Sequence, residues 1–180
     1  FPKDVKVGEA IMVDDGKLRF EVISTNKENE VVVKVIVGGP LRSKKGVNLP
    51  NTAISLPALT KKDMEDAVFA IGLDVDWFAL SFVRTPEDLR MLRDLIAQHS
   101  DYRIPIIAKI EKPEAVANID ALIPYCDGLM VARGDLGVEI PMQDVPLIQK
   151  KLVRRAKRAR IPVIIATQMM ETMIDNPVPT

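Results

Sequence analysis

Leu129-Met-Val-Ala-Arg-Gly-Asp-Leu-Gly-Val-Glu-Ile-Pro141 decides how this chain is read. It opens as a short apolar run of strand length and breaks at Arg133-Gly134-Asp135. After Pro141 it passes into a segment with helical spacing. A buried strand that ends in a glycine and a carboxylate is how α/β proteins place chemistry at the carboxyl ends of parallel strands. The remaining segments are read by asking what surrounds that end.

On both sides the same alternation recurs. Thr60, with Asp63 three residues on, starts a helix through about Gly72 that turns Met64, Ala67, Val68 and Ile71 inward. Trp77–Val83 is a short apolar strand. Thr85-Pro86-Glu87-Asp88 opens a helix with a cap, a proline at its first position and acids at its positive end. Its buried stripe is Leu89, Leu92, Leu95 and Ile96. Ile104–Ile110, Gly128–Ala132 and Pro162–Ala166 read as strands, the last leading to Thr167-Gln168; Pro113–Ile123 and Asp144–Arg160 read as helices. Strands this apolar suit a parallel sheet covered on both faces. Without a Gly-x-Gly-x-x-Gly fingerprint, the repetition favours a (β/α) barrel over a dinucleotide-binding sheet. The expected fold is α/β: a partial (β/α)8 TIM barrel of about four βα units, half of what closure needs.

Ahead of these units the period is two. Ile11–Val13, the turn Asp14-Asp15-Gly16, the alternating Lys17–Ser24, the polar turn Asn26–Asn29 and the valine-rich Glu30–Val37 predict an antiparallel meander. It is too small for a core of its own, so it is expected to lean on other chain or to move. Val47-Asn-Leu-Pro50 and Leu56-Pro57 read as an extended linker. The expected division is residues 1–49 as part of a β-rich inserted domain and residues 50–180 as half of a barrel.

Composition removes several functions. Of 180 residues 47% are apolar and 28% charged, as in ordinary globular domains. Lys+Arg and Asp+Glu stand at 25 each, so bulk charge favours neither nucleic acid nor an anionic membrane. The single cysteine, Cys126, and single histidine, His99, argue against a disulfide framework, a cysteine zinc site and a Ser-His-Asp triad. No apolar run reaches the roughly 18 residues of a membrane span, and no signal-peptide pattern is seen; cytoplasm is the expected location. Phe1 at the start and Asn176-Pro-Val-Pro-Thr180 at the end make the chain read as an internal fragment.

The chemistry belongs where strands run into βα loops: Ser81–Arg84, Lys109–Glu111, Arg133–Asp135 and Ala166–Gln168. Lys109 and Glu111, two apart on a strand, share a face. Asp135 comes from the next strand end. Taken singly, these read as an exposed pair and a turn cap; at successive strand ends they read as a site. Two carboxylates without histidine or cysteine suit Mg²⁺ or Mn²⁺. Gly134 allows a ligand close to the backbone, the N–H groups of the turn after it suit a carboxylate or phosphate, and Thr167 adds a hydroxyl. In Leu41–Gly46 the lysines are either solvated or phosphate contacts. The set suits a small anion whose reaction builds negative charge on oxygen, by enolate formation or by phosphoryl transfer.

Leu41-Arg-Ser-Lys-Lys-Gly-Val-Asn-Leu-Pro50, Ser81-Phe-Val-Arg84, Ala108-Lys-Ile-Glu111, Asp127–Pro141 and Ala166-Thr-Gln-Met169 resemble the pyruvate kinase family in order and spacing over essentially the whole chain. The resemblance implies a (β/α)8 barrel with a β lid inserted after its third strand and a regulatory domain beyond it. It also implies a cytosolic glycolytic homotetramer that transfers phosphate from phosphoenolpyruvate to ADP. Carried over by position, Lys109 stabilises the phosphoryl group in flight, and Glu111 and Asp135 bind the divalent cation. Gly134, Asp135 and Thr167 hold the substrate carboxylate, and Thr167 with a water protonates the enol. Lys45 reaches the nucleotide phosphates, and Asp14 is the lid aspartate brought toward the site on closure, counted with Lys45 as nucleotide-binding. The family's K⁺ ligands would lie outside these residues. Lys112-Pro113 departs from the Asn-Gln or Asn-His common after the glutamate, with no consequence expected at a helix start.

Two other readings compete with this one. A Mg²⁺-dependent aldolase of the phosphoenolpyruvate/pyruvate barrel superfamily shares the Glu–Asp pair but needs no nucleotide lid. The cation-rich Lys150–Arg160 invites nucleic acid, but Ile148, Leu152, Ala156 and Ala159 mark a buried stripe, so a solvated face or subunit contact is the reading taken. Neither nucleic acid nor membrane is expected as a partner. A half barrel is expected to be inactive alone and to self-associate through the open edges Trp77–Val83 and Pro162–Ala166.

Overall fold

Two sheets organise the computed structural model, which describes residues 1–50, 52, 57–167 and 169–177. β1 (Ala10–Val13), β2 (Leu18–Thr25), β3 (Val31–Val37) and β4 (Val47–Asn48) form an antiparallel sheet in the order β3-β2-β1-β4. The β1–β2 turn places Asp14, Asp15 and Gly16 at φ +54°, +55° and +82°, a left-handed run that aspartate tolerates and glycine adopts freely. Alternation along β2 puts Leu18 and Val22 inside and Arg19 and Glu21 outside.

The meander differs from expectation in having a core. Val5, Ile11, Val13, Leu18, Val22 and Leu49 are buried together, with Phe20, Val31 and Val33 against them. Val5 and Leu49, from outside the hairpins, close that cluster. The predicted linker is also corrected in part, because Val47 and Asn48 pair with Val13 and Met12 as β4; residues 51 and 53–56, and so Leu56, lie outside the described residues.

The second unit follows the predicted alternation. α1 (Lys61–Ile71) begins at a capping box in which Thr60 and Asp63 bond reciprocally. Then come β5 (Phe78–Leu80), α2 (Pro86–His99), β6 (Ile106–Ile110), α3 (Pro113–Ala117), α4 (Ile119–Leu122), β7 (Gly128–Ala132), α5 (Arg133–Glu139), α6 (Val145–Ala159) and β8 (Val163–Ala166). The sheet is parallel and its order is β5-β6-β7-β8. The strands run in chain order without the reversal that marks a doubly wound sheet.

Two helices depart from the predicted bounds. The helix expected over Pro113–Ile123 breaks at Asn118 (φ −90°, ψ 9°), whose side chain donates to the Arg84 carbonyl at 3.0 Å. Arg133–Glu139 is a helix rather than the expected short turn.

One face of the parallel sheet is sealed. Ile106, Ala108, Ile110, Leu129 and Val131 pack with Leu89, Leu92 and Ile96 of α2 and Leu152 and Ala156 of α6. By register, Ala79, Ile107, Lys109, Met130 and Ile164 share the other face. That face is open, with Ile164 42% exposed.

Candidate active site at the carboxyl ends of the parallel strands

Period-two alternation on β6 carries Lys109 and then Glu111 away from the sealed core, and the two meet. Lys109 Nζ lies 2.7 Å from Glu111 Oε1 and donates to Ser81 Oγ, just past β5, at 2.7 Å. Glu111 is 1% exposed, and its Oε2 accepts from the Phe82 backbone N–H at 2.8 Å. A carboxylate this deep is tolerable only when paired and hydrogen-bonded; here an ammonium and an amide serve it from two sides.

Phe82 reaches that position with φ +55°, unusual for a large side chain. Thr167, one residue beyond β8, has φ +61° and is exposed. Two of the four strand ends therefore hold non-glycine residues in left-handed backbone, a strain that clusters at functional sites.

Asp135 is exposed in the first turn of α5, with β6 and β7 direct neighbours in the sheet. Ala132 caps this helix without a side-chain hydrogen bond. Gly134 keeps φ out of the left-handed region, so it contributes the absence of a side chain. Asp135, Ser81, Phe82 and Lys112 from the parallel-sheet unit line a cleft of about 850 Å³ together with Asp15, Gly46, Val47 and Asn48. Lys109 and Glu111 are bonded to Ser81 and Phe82 but, like Gly134 and Thr167, are not among the residues of that cleft.

In the antiparallel sheet, Lys45 Nζ lies 2.8 Å from Asp14 Oδ1, and Lys17 is 3.4 Å from Oδ2. The hydrogen bond from Lys45, then Lys17, holds the Asp14 carboxyl below its usual range, and the same pairing raises the Lys45 ammonium. Lys45 is therefore already paired within its own sheet, beside the cleft residues Asp15 and Gly46.

Sequence reasoning missed a second charged cluster. Lys112 and Glu139 form an ion pair at 2.6 Å with side chains 8% and 2% exposed, and Asn48 Nδ2 donates to the same Glu139 oxygen at 2.9 Å. The expectation that Lys112 is inconsequential is thereby corrected. Its one sequence signal is a charge beside Glu111, followed by Glu139 in an otherwise apolar stretch. Arg133 contacts the Met169 sulfur, and its Nε is buried without a hydrogen bond among the described residues.

The donor chemistry fits a hard divalent cation. Each Glu111 oxygen uses one lone pair on its present partner and keeps another, and Asp135 faces solvent. Among the described residues no group of three or more His, Cys, Asp or Glu side chains forms a metal cage. A cation on Glu111 and Asp135 would thus take its other ligands from water and substrate, the habit of Mg²⁺. Burial pushes the Cys126 thiol up to about 11, so near neutral pH it is no nucleophile. Among the described residues no helix is long and apolar enough to cross a membrane.

Parallel βα units in chain order, an antiparallel sheet ahead of them and ionisable groups at the strand ends define an α/β protein of the strand-end-site class. The model of the family described as "Pyruvate kinase, barrel domain" matches residues 1–180, and the chain belongs to the pyruvate kinase family. It is 51% identical over 178 residues to a pyruvate kinase of Bacillus licheniformis, covering 98% of this chain and 30% of that protein. It is 49% identical to pyruvate kinase 2 of Synechocystis, with 98% and 30% covered. To a pyruvate kinase of Corynebacterium glutamicum it is 47% identical, with 99% and 37% covered. The chain thus spans about a third of the length of these curated relatives.

Proposed function

We propose that this chain carries part of the phosphoryl-transfer site of a pyruvate kinase, with residues 1–49 part of the lid and residues 50–180 half of a (β/α)8 barrel. The supporting observation is the locked group Ser81–Lys109–Glu111–Phe82 at two adjacent strand ends. The reaction moves phosphate from phosphoenolpyruvate to ADP. Such a transfer requires alignment, charge neutralisation and exclusion of water rather than covalent help.

Lys109 sets its ammonium against the phosphoryl oxygens. Glu111 and Asp135 would hold Mg²⁺ or Mn²⁺, which when bound neutralises charge shared by substrate and phosphate. The backbone at Gly134 and Asp135, with Thr167, receives the substrate carboxylate, and Thr167 with a water delivers the proton to the enol. Lys45 exchanges Asp14 for nucleotide phosphate as the lid comes down. K⁺ belongs to the family reading, on ligands outside these residues. The aldolase alternative gains no support from the relatives. The setting is the cytoplasm, as a homo-oligomer, without nucleic acid or membrane as partner.

In the full-length protein, ADP-dependent pyruvate formation that requires Mg²⁺ is the expected result, and its absence would refute the assignment. The 180-residue chain alone is expected to be inactive, because the open sheet face lacks the other half of the site; turnover by it would overturn the half-barrel reading. It is also expected to self-associate through the β5 and β8 edges; a monodisperse monomer by light scattering would exclude this.

A further inference from the structure

Glu139 gathers three parts of the molecule on one oxygen. Its Oε1 accepts from Lys112 Nζ at 2.6 Å and from Asn48 Nδ2 at 2.9 Å. Lys112 directly follows Glu111. Glu139 ends α5, whose first turn carries Asp135. Asn48 lies in β4, through which the chain leaves the antiparallel sheet. The other Glu139 oxygen is buried without a hydrogen bond among the described residues, so the carboxylate depends on the two donors at Oε1.

Those donors belong to different bodies. Lys112 and Glu139 both sit on the parallel-sheet unit and stay together whatever the antiparallel sheet does. Asn48 is tied to the antiparallel sheet, since β4 pairs with β1 and the Asp14 N–H donates to the Gly46 carbonyl at 3.1 Å. β4, Lys45 and the Asp14 turn are thereby joined. The same turn meets α5 again, because a β-carbon at Gly16 would stand 3.6 Å from Val138 Cγ1. A swing of the antiparallel sheet that carries β4 with it breaks Asn48–Glu139 and leaves Lys112–Glu139 intact. The arrangement is a fixed, charge-stabilised acceptor offered to one moving donor.

We propose that the Asn48–Glu139 hydrogen bond is the latch of the lid. It holds the antiparallel sheet over the cleft and couples closure to the strand end bearing Glu111 and the helix bearing Asp135. Glu139 and Lys112 are then positioning residues for the reaction. The inference rests on reading residues 1–49 as the lid.

The test begins without substrate. Fluorophores at Lys34→Cys and Gln98→Cys, both exposed positions, report the distance between the two units in the 180-residue chain, with labelled molecules diluted into unlabelled chain. Cys126 is buried and stays unlabelled. Asn48→Ala removes the moving donor alone, and Asn48→Asp sets a second carboxylate against Glu139. A hydrogen bond to a charged acceptor corresponds to roughly tenfold or more in an equilibrium, so Asn48→Ala is expected to raise the open-to-closed ratio about tenfold, with Asn48→Asp raising it further. Hydrogen exchange of the β2–β3 amides is expected to stay unchanged in both variants. An unaltered distance distribution in Asn48→Ala overturns the latch, as does a change accompanied by lost β2–β3 protection, which would be unfolding of the sheet. In the full-length protein, Asn48→Ala is expected to raise KM for ADP more than it lowers kcat; an unchanged KM overturns the coupling to closure. Lack of kinase activity in the unsubstituted full-length protein would instead refute the functional reading, while the distances would still decide the latch.

Discussion

Lys109→Met in the full-length protein is expected to lower kcat by about a thousandfold, on the order of what one oxyanion-stabilising donor contributes, with a much smaller change in KM. On the proposed role the ammonium would meet charge that builds as the phosphoryl group leaves, and a contact made mainly in the transition state appears in kcat. A second effect adds to the first. Lys109 also holds Glu111 Oε1 at 2.7 Å, so its removal leaves that carboxylate with the Phe82 amide as its remaining partner among the described residues and loosens one of the two proposed cation ligands. Titration with Mn²⁺ separates the two effects. Weaker Mn²⁺ binding in Lys109→Met measures loss of ligand placement, and the kcat deficit that persists at saturation measures the missing charge. Lys109→Arg is not expected to rescue turnover, because a planar guanidinium does not reproduce a compact ammonium wedged between Ser81 and Glu111. Retention of near-normal kcat in Lys109→Met would exclude the assigned role.

Lys112→Met is expected to destabilise the fold by about 3–5 kcal/mol, the usual result of stripping one partner from a buried ion pair. Glu139 then keeps a buried charge with Asn48 as its remaining donor among the described residues, where its second oxygen already lacks one. At this chain length that loss corresponds to a fall in Tm of roughly 10 °C. The double variant Lys112→Met with Glu139→Leu is expected to regain most of the stability, since two apolar side chains can replace a buried pair at little cost. Urea unfolding of the single and double variants decides the matter. A single variant within about 1 kcal/mol of the unsubstituted protein would mean that water reaches the pair and solvates it.

Which features could be read from the sequence follows from the range of the interaction behind each. β7 was legible because a short apolar run declares a covered strand, and Lys109 with Glu111 because strand periodicity alone places them on one side. α5 was not, since Arg133-Gly-Asp-Leu-Gly137 carries two glycines and reads as a loop by propensity; burial of Leu136 and Glu139 holds it as a helix. β4 is two residues long and exists through its pairing with β1, which no local pattern announces. The break at Asn118 answers a carbonyl 34 residues away. Glu139 is hardest of all, with partners 27 and 91 residues distant. Local chemistry is written locally, and the charged cluster beneath the cleft is a product of tertiary assembly.

The amide that Phe82 offers to Glu111 sets the mutational freedom of that position. The donor is main chain, so the side chain at residue 82 can change without removing it, and a glycine there would adopt the same φ with less strain. Proline alone deletes the N–H and cannot reach a positive φ. Drift at this position is therefore closed to proline and strained for β-branched residues at this φ, while glycine, asparagine or aspartate would keep the amide that supports the Glu111 carboxylate.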